Sequence, residues 1–369
     1  MAGVLRILVF RRPAHGQFAG RYSTFGTGRK VVGTPVTDKK KIGVVMFQLG
    51  GPDSPGAVEP FLYNLFCDPD IIDFFGAWFA RRPLARYIAR NRAGVVREHY
   101  NDIGGQSPIR LLTERQSRAL QAALSAKFDA KCFIAMRYWN PLTAEAVAQV
   151  NEWNAADLVL LPLYPQYSFA TSSSSLKEWK RLYQPAGNTP RTHTVESFYS
   201  HPLYIKSVAE KIALSLTHFD NPDSAHIVFS AHGLPLSLIE RGDPYSKHVE
   251  ETVRLVMQEG AWKNVHTLAY QSKVGRRKWL SPSLTDTIDR LGRAGEKHLL
   301  IVPIAFVTEH IETLHEINIE AREQAHKLGV EQFEMMPAVG DSPTFIAALA
   351  DLVAQSLQDG NVVTPQISR

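Results

Sequence analysis

Cysteine is nearly absent: 369 residues hold two, Cys67 and Cys132. That excludes a disulfide framework and fits a reducing compartment. No group of cysteines or histidines has the spacing of a structural zinc site. No apolar run reaches the roughly eighteen residues a membrane span needs. The early "ILVF" is too short for a signal-peptide core. Acidic residues are missing from the first 37 positions, which carry Arg6, Arg11, Arg12, Arg21, Arg29 and Lys30. Residues 1–40 therefore read either as a disordered basic extension or as an organelle transit peptide, one poor in serine. There is little excess charge. A net +5, with 44% hydrophobic and 21% charged residues, is ordinary globular composition and falls short of a dedicated nucleic-acid binder. Mild basicity also suits an anionic membrane or a carboxylated ligand.

The length allows two domains around a large core. From Lys41 onward, short apolar runs alternate with longer helix-like stretches. The runs are 42–49, 132–136, 158–164, 193–198, 227–231, 266–270, 299–306 and 333–336. They are continuous rather than alternating, as in strands buried on both faces, and imply βαβ units with parallel sheets. "VVMFQLGGP" and "IVFSAHGLP" match in plan, as do "LVLLPLYPQYS" and "LLIVPIAFVTEH". The expectation is an α/β protein of two similar parallel-sheet domains whose unusual motifs converge on one cleft if the two face each other. These are 41–185, with a lip insertion at 53–130, and 186–325; residues 326–369 close the fold. Ligands of open parallel sheets bind at the carboxyl ends of strands, where each unusual motif here lies.

"DFFGAWFARRPLARYIARNR" (73–92) interleaves aromatic residues with arginines. It reads as a helical hairpin with its aromatics in the core, or as an amphipathic lip against a membrane or an apolar ligand. No nucleic-acid-binding motif accompanies it. "FSAHGLP" sets His232 at a strand end, where imidazole serves as a structural partner, a proton carrier or a metal ligand. "FVTEHIETLHEINIEAREQ" (306–324) follows the matching strand and spaces Glu312, Glu316 and Glu320 four apart. On an α-helix that puts three carboxylates on one face, either as a solvated acidic surface or as a crowded line able to shift pKa values and relay protons. "HEINI" (315–319) lacks the second histidine of a zinc protease. The Ser-rich "YPQYSFATSSSS" (164–175), "IGGQSPIR" (103–110), "MRYWNP" (136–141) and the basic 270–280 stretch add anion-tolerant loops.

From about Lys41 to Val353 these motifs resemble the ferrochelatase family. The resemblance rests on "LGGP" (49–52), "IGGQSPI" (103–109), "RYWNPLT" (137–143), "YPQYS" (164–168), "SAHGLP" (230–235), "QSKVG" (271–275) and "EHIETLHEINIE" (309–320). It implies two Rossmann-like domains facing a central porphyrin cleft, and insertion of ferrous iron into protoporphyrin IX, the terminal step of haem synthesis, by a lyase that takes Fe²⁺ as substrate and keeps no permanent cofactor. By resemblance His232 and Glu312 are the catalytic and metal-handling pair, His310 supports them, and Glu316 and Glu320 continue an acidic path. Leu49, Tyr138, Trp279 and Phe306 line the porphyrin; Arg137 stands at a strand end beside it. Arg92, Tyr100 and Ser107 match positions that hold propionates.

Some relatives carry a cysteine-ligated iron–sulfur cluster in a C-terminal extension; with no cysteine after Cys132, none is expected here. Asn101 and Asp102 replace basic residues of some relatives, and Asn318 replaces an acid. Coproporphyrin III remains an alternative substrate. A sirohydrochlorin or cobalt chelatase and a non-enzymatic porphyrin carrier are more distant alternatives. The expected location is the cytoplasm, with peripheral membrane contact through 74–92; an organelle follows only if residues 1–40 are a transit peptide. The sequence sets no oligomeric state.

Overall fold

The computed structural model describes residues 39–69, 77–187, 189–272 and 278–358. The basic extension, the first part of the 73–92 stretch and most of "SKVG" lie outside them.

Among the described residues, eight strands form two four-stranded parallel sheets. The first holds β1 (Lys41–Gln48), β2 (Asp129–Met136), β3 (Asp157–Pro162) and β4 (Arg191–Thr194), in the order β2-β1-β3-β4. The second holds β5 (His226–His232), β6 (His266–Gln271), β7 (His298–Pro303) and β8 (Gln332–Met335), in the order β6-β5-β7-β8. The two sheets thus repeat one topology, as the paired motifs anticipate, and the α/β class holds. β8 falls within 326–369 and completes the second sheet.

The helices are α1 (Val58–Phe66), α2 (Ala77–Asp102), α3 (Ile109–Leu124), α4 (Thr143–Trp153), α5 (Ser174–Leu182), α6 (Pro202–Leu216), α7 (Leu236–Glu240), α8 (Tyr245–Gly260), α9 (Leu284–Arg293), α10 (Arg322–Lys327) and α11 (Pro343–Gln358). Two π-helices, π1 (Phe169–Ser173) and π2 (Glu312–Ala321), follow the third strand of their respective sheets. No described helix is long and apolar enough to cross a membrane.

The continuous apolar runs become strands because each is covered on both faces. Along β1, Ile42, Val44 and Met46 enter one core while Val45 and Phe47 enter another. The second of these cores packs Phe47 edge-on to Trp179 of α5, with ring centroids 5.8 Å apart. The larger core is shared: Val159 and Leu161 of the first sheet, Phe229 and Val302 of the second, and apolar faces of α3, α6, α8 and α11 belong to one cluster. A separate cluster under α1 and α2 gathers Phe61, Leu62, Ala85, Ala89, Ala93 and Tyr138. Polar links cross at the carboxyl ends of both sheets. Gln116 donates to the carbonyls of Val307 and Gly340 at 3.0 and 2.9 Å. Gln166 donates to Thr252 at 3.1 Å. Asp243 accepts from the Ser168 hydroxyl and the Phe169 amide, both at 2.8 Å, fixing the start of π1.

Candidate active site

β5 ends on His232, paired in register with Gln271 at the end of β6. The chain turns at Gly233, where a Cβ would stand 2.8 Å from the Gln271 carbonyl, so only glycine fits without displacement. β7 ends at Pro303, and the following loop carries Phe306, His310 and the start of π2. These three strand ends bring His232 and Glu312 together: His232 Nδ1 lies 2.9 Å from Glu312 Oε2. His310 Nε2 lies 3.6 Å from the same oxygen. His310 is buried, its Nδ1 3.2 Å from the Thr308 carbonyl and its ring 4.4 Å from that of Phe306.

Gln271 ties this pair to the next acid. Its Nε2 donates to the Glu312 carbonyl at 3.0 Å and approaches Glu316 Oε2 at 3.5 Å; its Oε1 accepts from the Ser230 hydroxyl at 2.6 Å. The Ser272 hydroxyl donates to Glu316. Glu320, one step further along π2, is exposed. The three carboxylates thus run from a half-buried position to solvent. The helix carrying them is π rather than α: its backbone bonds close i→i+5, a form concentrated at functional sites.

The electrostatics differ along the line. Burial would raise Glu312, but the charge and hydrogen bond of His232, then those of His310, hold its carboxyl far below the usual range. Burial would lower His232, and the Glu312 carboxylate more than offsets it, leaving the imidazole above its ordinary value. Glu316 is pushed up to about 7, first by burial and then by the charge of Glu312. One acid is thus firmly ionised and the next is poised to exchange a proton near neutrality. Nδ1 of His232 is committed to Glu312, which leaves Nε2 as the nitrogen that takes a proton.

The other expected residues sort by burial. Leu49 is half-buried at the end of β1, and Trp279 is half-buried with an indole N–H that has no hydrogen-bond partner. The backbone at 278–280 pairs with 234–236 beyond His232. Tyr100 is buried on α2, its phenol pushed well up by burial and then by the Glu312 charge, which places it within that carboxylate's field. Arg92 is exposed, with its guanidinium 5.7 Å from the Phe66 ring centre. Ser107 is buried against Gly51, where a Cβ would meet its hydroxyl at 2.5 Å, so "LGGP" and "GGQSP" interlock.

Tyr138 is buried and donates to Asp68 at 2.6 Å. Arg137 pairs with the same carboxylate at 2.8 Å and with Ser174 at 3.0 Å. Tyr138 and Arg137 therefore share a buried network under α1, and Tyr138 lies in one apolar cluster with Tyr100, against which Leu49 and Ile311 pack. Gln271, Ser272, Asp68 and Glu309 were not singled out from sequence. Gln271 and Ser272 carried a signal in "QSKVG" at the end of an apolar run, and Glu309 one as the first residue of "EHIETLHEINIE"; Asp68 carried none. Glu309 accepts from the Ala338 amide at 2.6 Å and anchors the loop before π2.

The family model described as Ferrochelatase matches residues 41–357. A protein named Ferrochelatase from Geotalea uraniireducens is 48% identical over 318 residues, 86% of this chain and 98% of the relative. Another of that name from Nostoc punctiforme is 46% identical, over 86% of this chain and 83% of the relative. Among solved structures, SirB from Bacillus subtilis with Fe³⁺ superposes with a TM-score of 0.51 at 12% identity, covering 86% of this chain and 95% of that one, a likeness of fold alone. With a family model spanning both sheets and relatives near half identity, the chain belongs to the ferrochelatase family.

Proposed function

We propose that the protein is a protoporphyrin ferrochelatase: it inserts Fe²⁺ into protoporphyrin IX and releases two protons, completing haem. The observation that carries this reading is the His232–Glu312 pair at 2.9 Å with Glu316 next along π2. Metal insertion needs a base for the pyrrole N–H protons and oxygen or imidazole donors that hold ferrous iron without trapping it. His232 Nε2 takes a pyrrole proton. Glu312, ionised throughout the working range, stabilises the imidazolium that results. Glu316, titrating near pH 7, accepts the proton in turn, and exposed Glu320 returns it to water. The porphyrin rests against Leu49, Phe306 and Trp279, and Arg92 offers a cation to a propionate.

Iron is substrate here and no resident cofactor is required; two cysteines are too few for an iron–sulfur cluster. The protein works in the cytoplasm at the face of the inner membrane. Tyr87, 68% exposed and flanked by exposed Arg86 and Arg90 on α2, supports that contact.

The test is anaerobic: purified protein and Fe²⁺ with protoporphyrin IX, and in parallel with coproporphyrin III, followed by the optical change on metallation. Turnover of protoporphyrin is expected. Turnover of coproporphyrin alone moves the substrate, and tight porphyrin binding without metallation of either makes the protein a carrier.

A further inference from the structure

The loop that carries His310 and Glu312 also borders a cavity that neither His232 nor Glu312 lines. Thr308 and Glu309 meet there with Leu112 and Arg115 of α3, Lys211 of α6 and the 337–343 segment that leads from β8 into α11. Its volume is about 490 Å³, within the roughly 300–1,000 Å³ of small-molecule sites. Three of its four charges are already matched. Arg115 and Asp341 hold each other through two bonds of 3.0 Å. Glu309 accepts from the Ala338 amide at 2.6 Å and from the Thr313 hydroxyl. Lys211, half-buried, is the charge left over: among the described residues its ammonium has no hydrogen-bond or ion-pair partner. α11 begins at Pro343 in the same wall, and the N-terminal end of a helix adds partial positive charge. Leu112, Val339, Pro337 and Pro343 make much of the remaining wall apolar.

We propose that this cavity is a regulatory site for a small organic carboxylate, whose presence is felt at the catalytic loop through Thr308 and Glu309. An unmatched ammonium calls for an anion, and the apolar wall favours one with a short hydrocarbon body over a bare inorganic ion. Two contacts carry occupancy to the catalytic pair. Glu309 ties the cavity wall at Ala338 to Thr313, the residue after Glu312 on π2. The Thr308 carbonyl lies 3.2 Å from His310 Nδ1, and the other nitrogen of that ring stands 3.6 Å from Glu312 Oε2. A carboxylate held by Lys211 brings a further negative charge into the cavity that Glu309 lines, and repels it. Loosening Glu309 frees Thr313 and draws Glu312 off its 2.9 Å contact with His232, so occupancy slows the reaction. Binding is independent of the ferrochelatase reading above; the effect on rate rests on it.

Binding is read with trifluorobutyrate as the probe, by fluorine NMR of the full chain without porphyrin or iron. One saturable site is expected, and the neutral trifluorobutanol should not compete for it. Lys211→Gln should weaken the probe at least about tenfold, and Lys211→Arg should restore it. Lys211 is half-buried on a helix surface, and circular dichroism checks that both variants fold. Arg92→Ala should leave probe binding unchanged, which separates this cavity from the propionate positions. In histidine-labelled protein the His310 ring resonance should shift as the probe binds. No saturable binding, or equal binding by Lys211→Gln, overturns the site. Displacement by inorganic phosphate as readily as by unlabelled carboxylate overturns the assignment to an organic acid. For the rate, saturating probe should slow metallation of protoporphyrin at least about fivefold, with the porphyrin KM unchanged. Lys211→Gln should keep the basal rate and lose that response. A bound probe that changes neither the rate nor the His310 signal overturns the regulation. A chain that binds the probe and shifts His310 but metallates no porphyrin refutes the ferrochelatase reading and not this site.

Discussion

Ser272 donates its hydroxyl to the Glu316 carboxylate from a backbone in the left-handed region, at φ +65°. A side chain there costs about 1–2 kcal/mol, and the hydrogen bond goes to the charged form of Glu316, opposing the burial that raises it. Ser272→Gly should therefore relax the backbone yet push the Glu316 titration above about 7. Glu316 itself is raised in the folded state relative to an unfolded value of about 4.3. The folded protein thus holds this proton more tightly than the unfolded chain does. Stability is lost as pH climbs from about 4 through 7 and stays lost beyond. Glu316→Gln should stabilise the protein by about 1–3 kcal/mol at pH 8 and by little at pH 5. Thermal unfolding at both pH values checks this, and equal shifts would show that Glu316 is not buried as a proton-exchanging acid.

Glu312→Gln removes the charge that holds His232 above its ordinary value and leaves the burial that lowers it. The imidazole pKa should fall. Since the neutral ring is the base, the acidic limb of the pH–rate profile should move to lower pH, while the maximal rate drops about 10²–10⁴-fold. NMR titration of the His232 ring separates the two effects. A limb that stays in place would mean that another group controls it.

Gly233→Ala would place a methyl group 2.8 Å from the Gln271 carbonyl and 3.4 Å from the Trp279 ring. Backbone must shift, at a cost of about 1–3 kcal/mol. Because Gln271 holds both the Glu312 carbonyl and Glu316, activity should fall by more than the loss of folded protein explains. Comparing melting temperature with the metallation rate of the fully folded fraction tests this.

The strands were legible because burial on both faces writes an unbroken apolar run, and all eight runs overlap strands. The edge strand β4 reads least well: the 193–198 run is displaced from Arg191–Thr194, whose first two residues are polar and exposed. Glu312, Glu316 and Glu320 were legible as a line, but the helix type was not, since a four-residue spacing looks the same on an α-helix and a π-helix. Tyr138 reads in sequence as a strand-end residue open to ligand, and its capture by Asp68, 70 positions earlier, has no local signature. The stacking of His99 on His315 likewise joins segments more than 200 residues apart.

The shared core has a mechanical consequence. Because residues of α3, α6, α8 and α11 join both sheets in one apolar cluster, parting the halves would expose that cluster to water. Their unfolding is expected to be a single cooperative event. The α1–α2 pair rests on a smaller cluster completed by Tyr138 and bordered by Leu49 and Ile311, so displacing α2 is expected to cost less than parting the sheets. A macrocycle would enter and leave past α2, and crosslinking α2 to the body should slow exchange without altering the bound geometry.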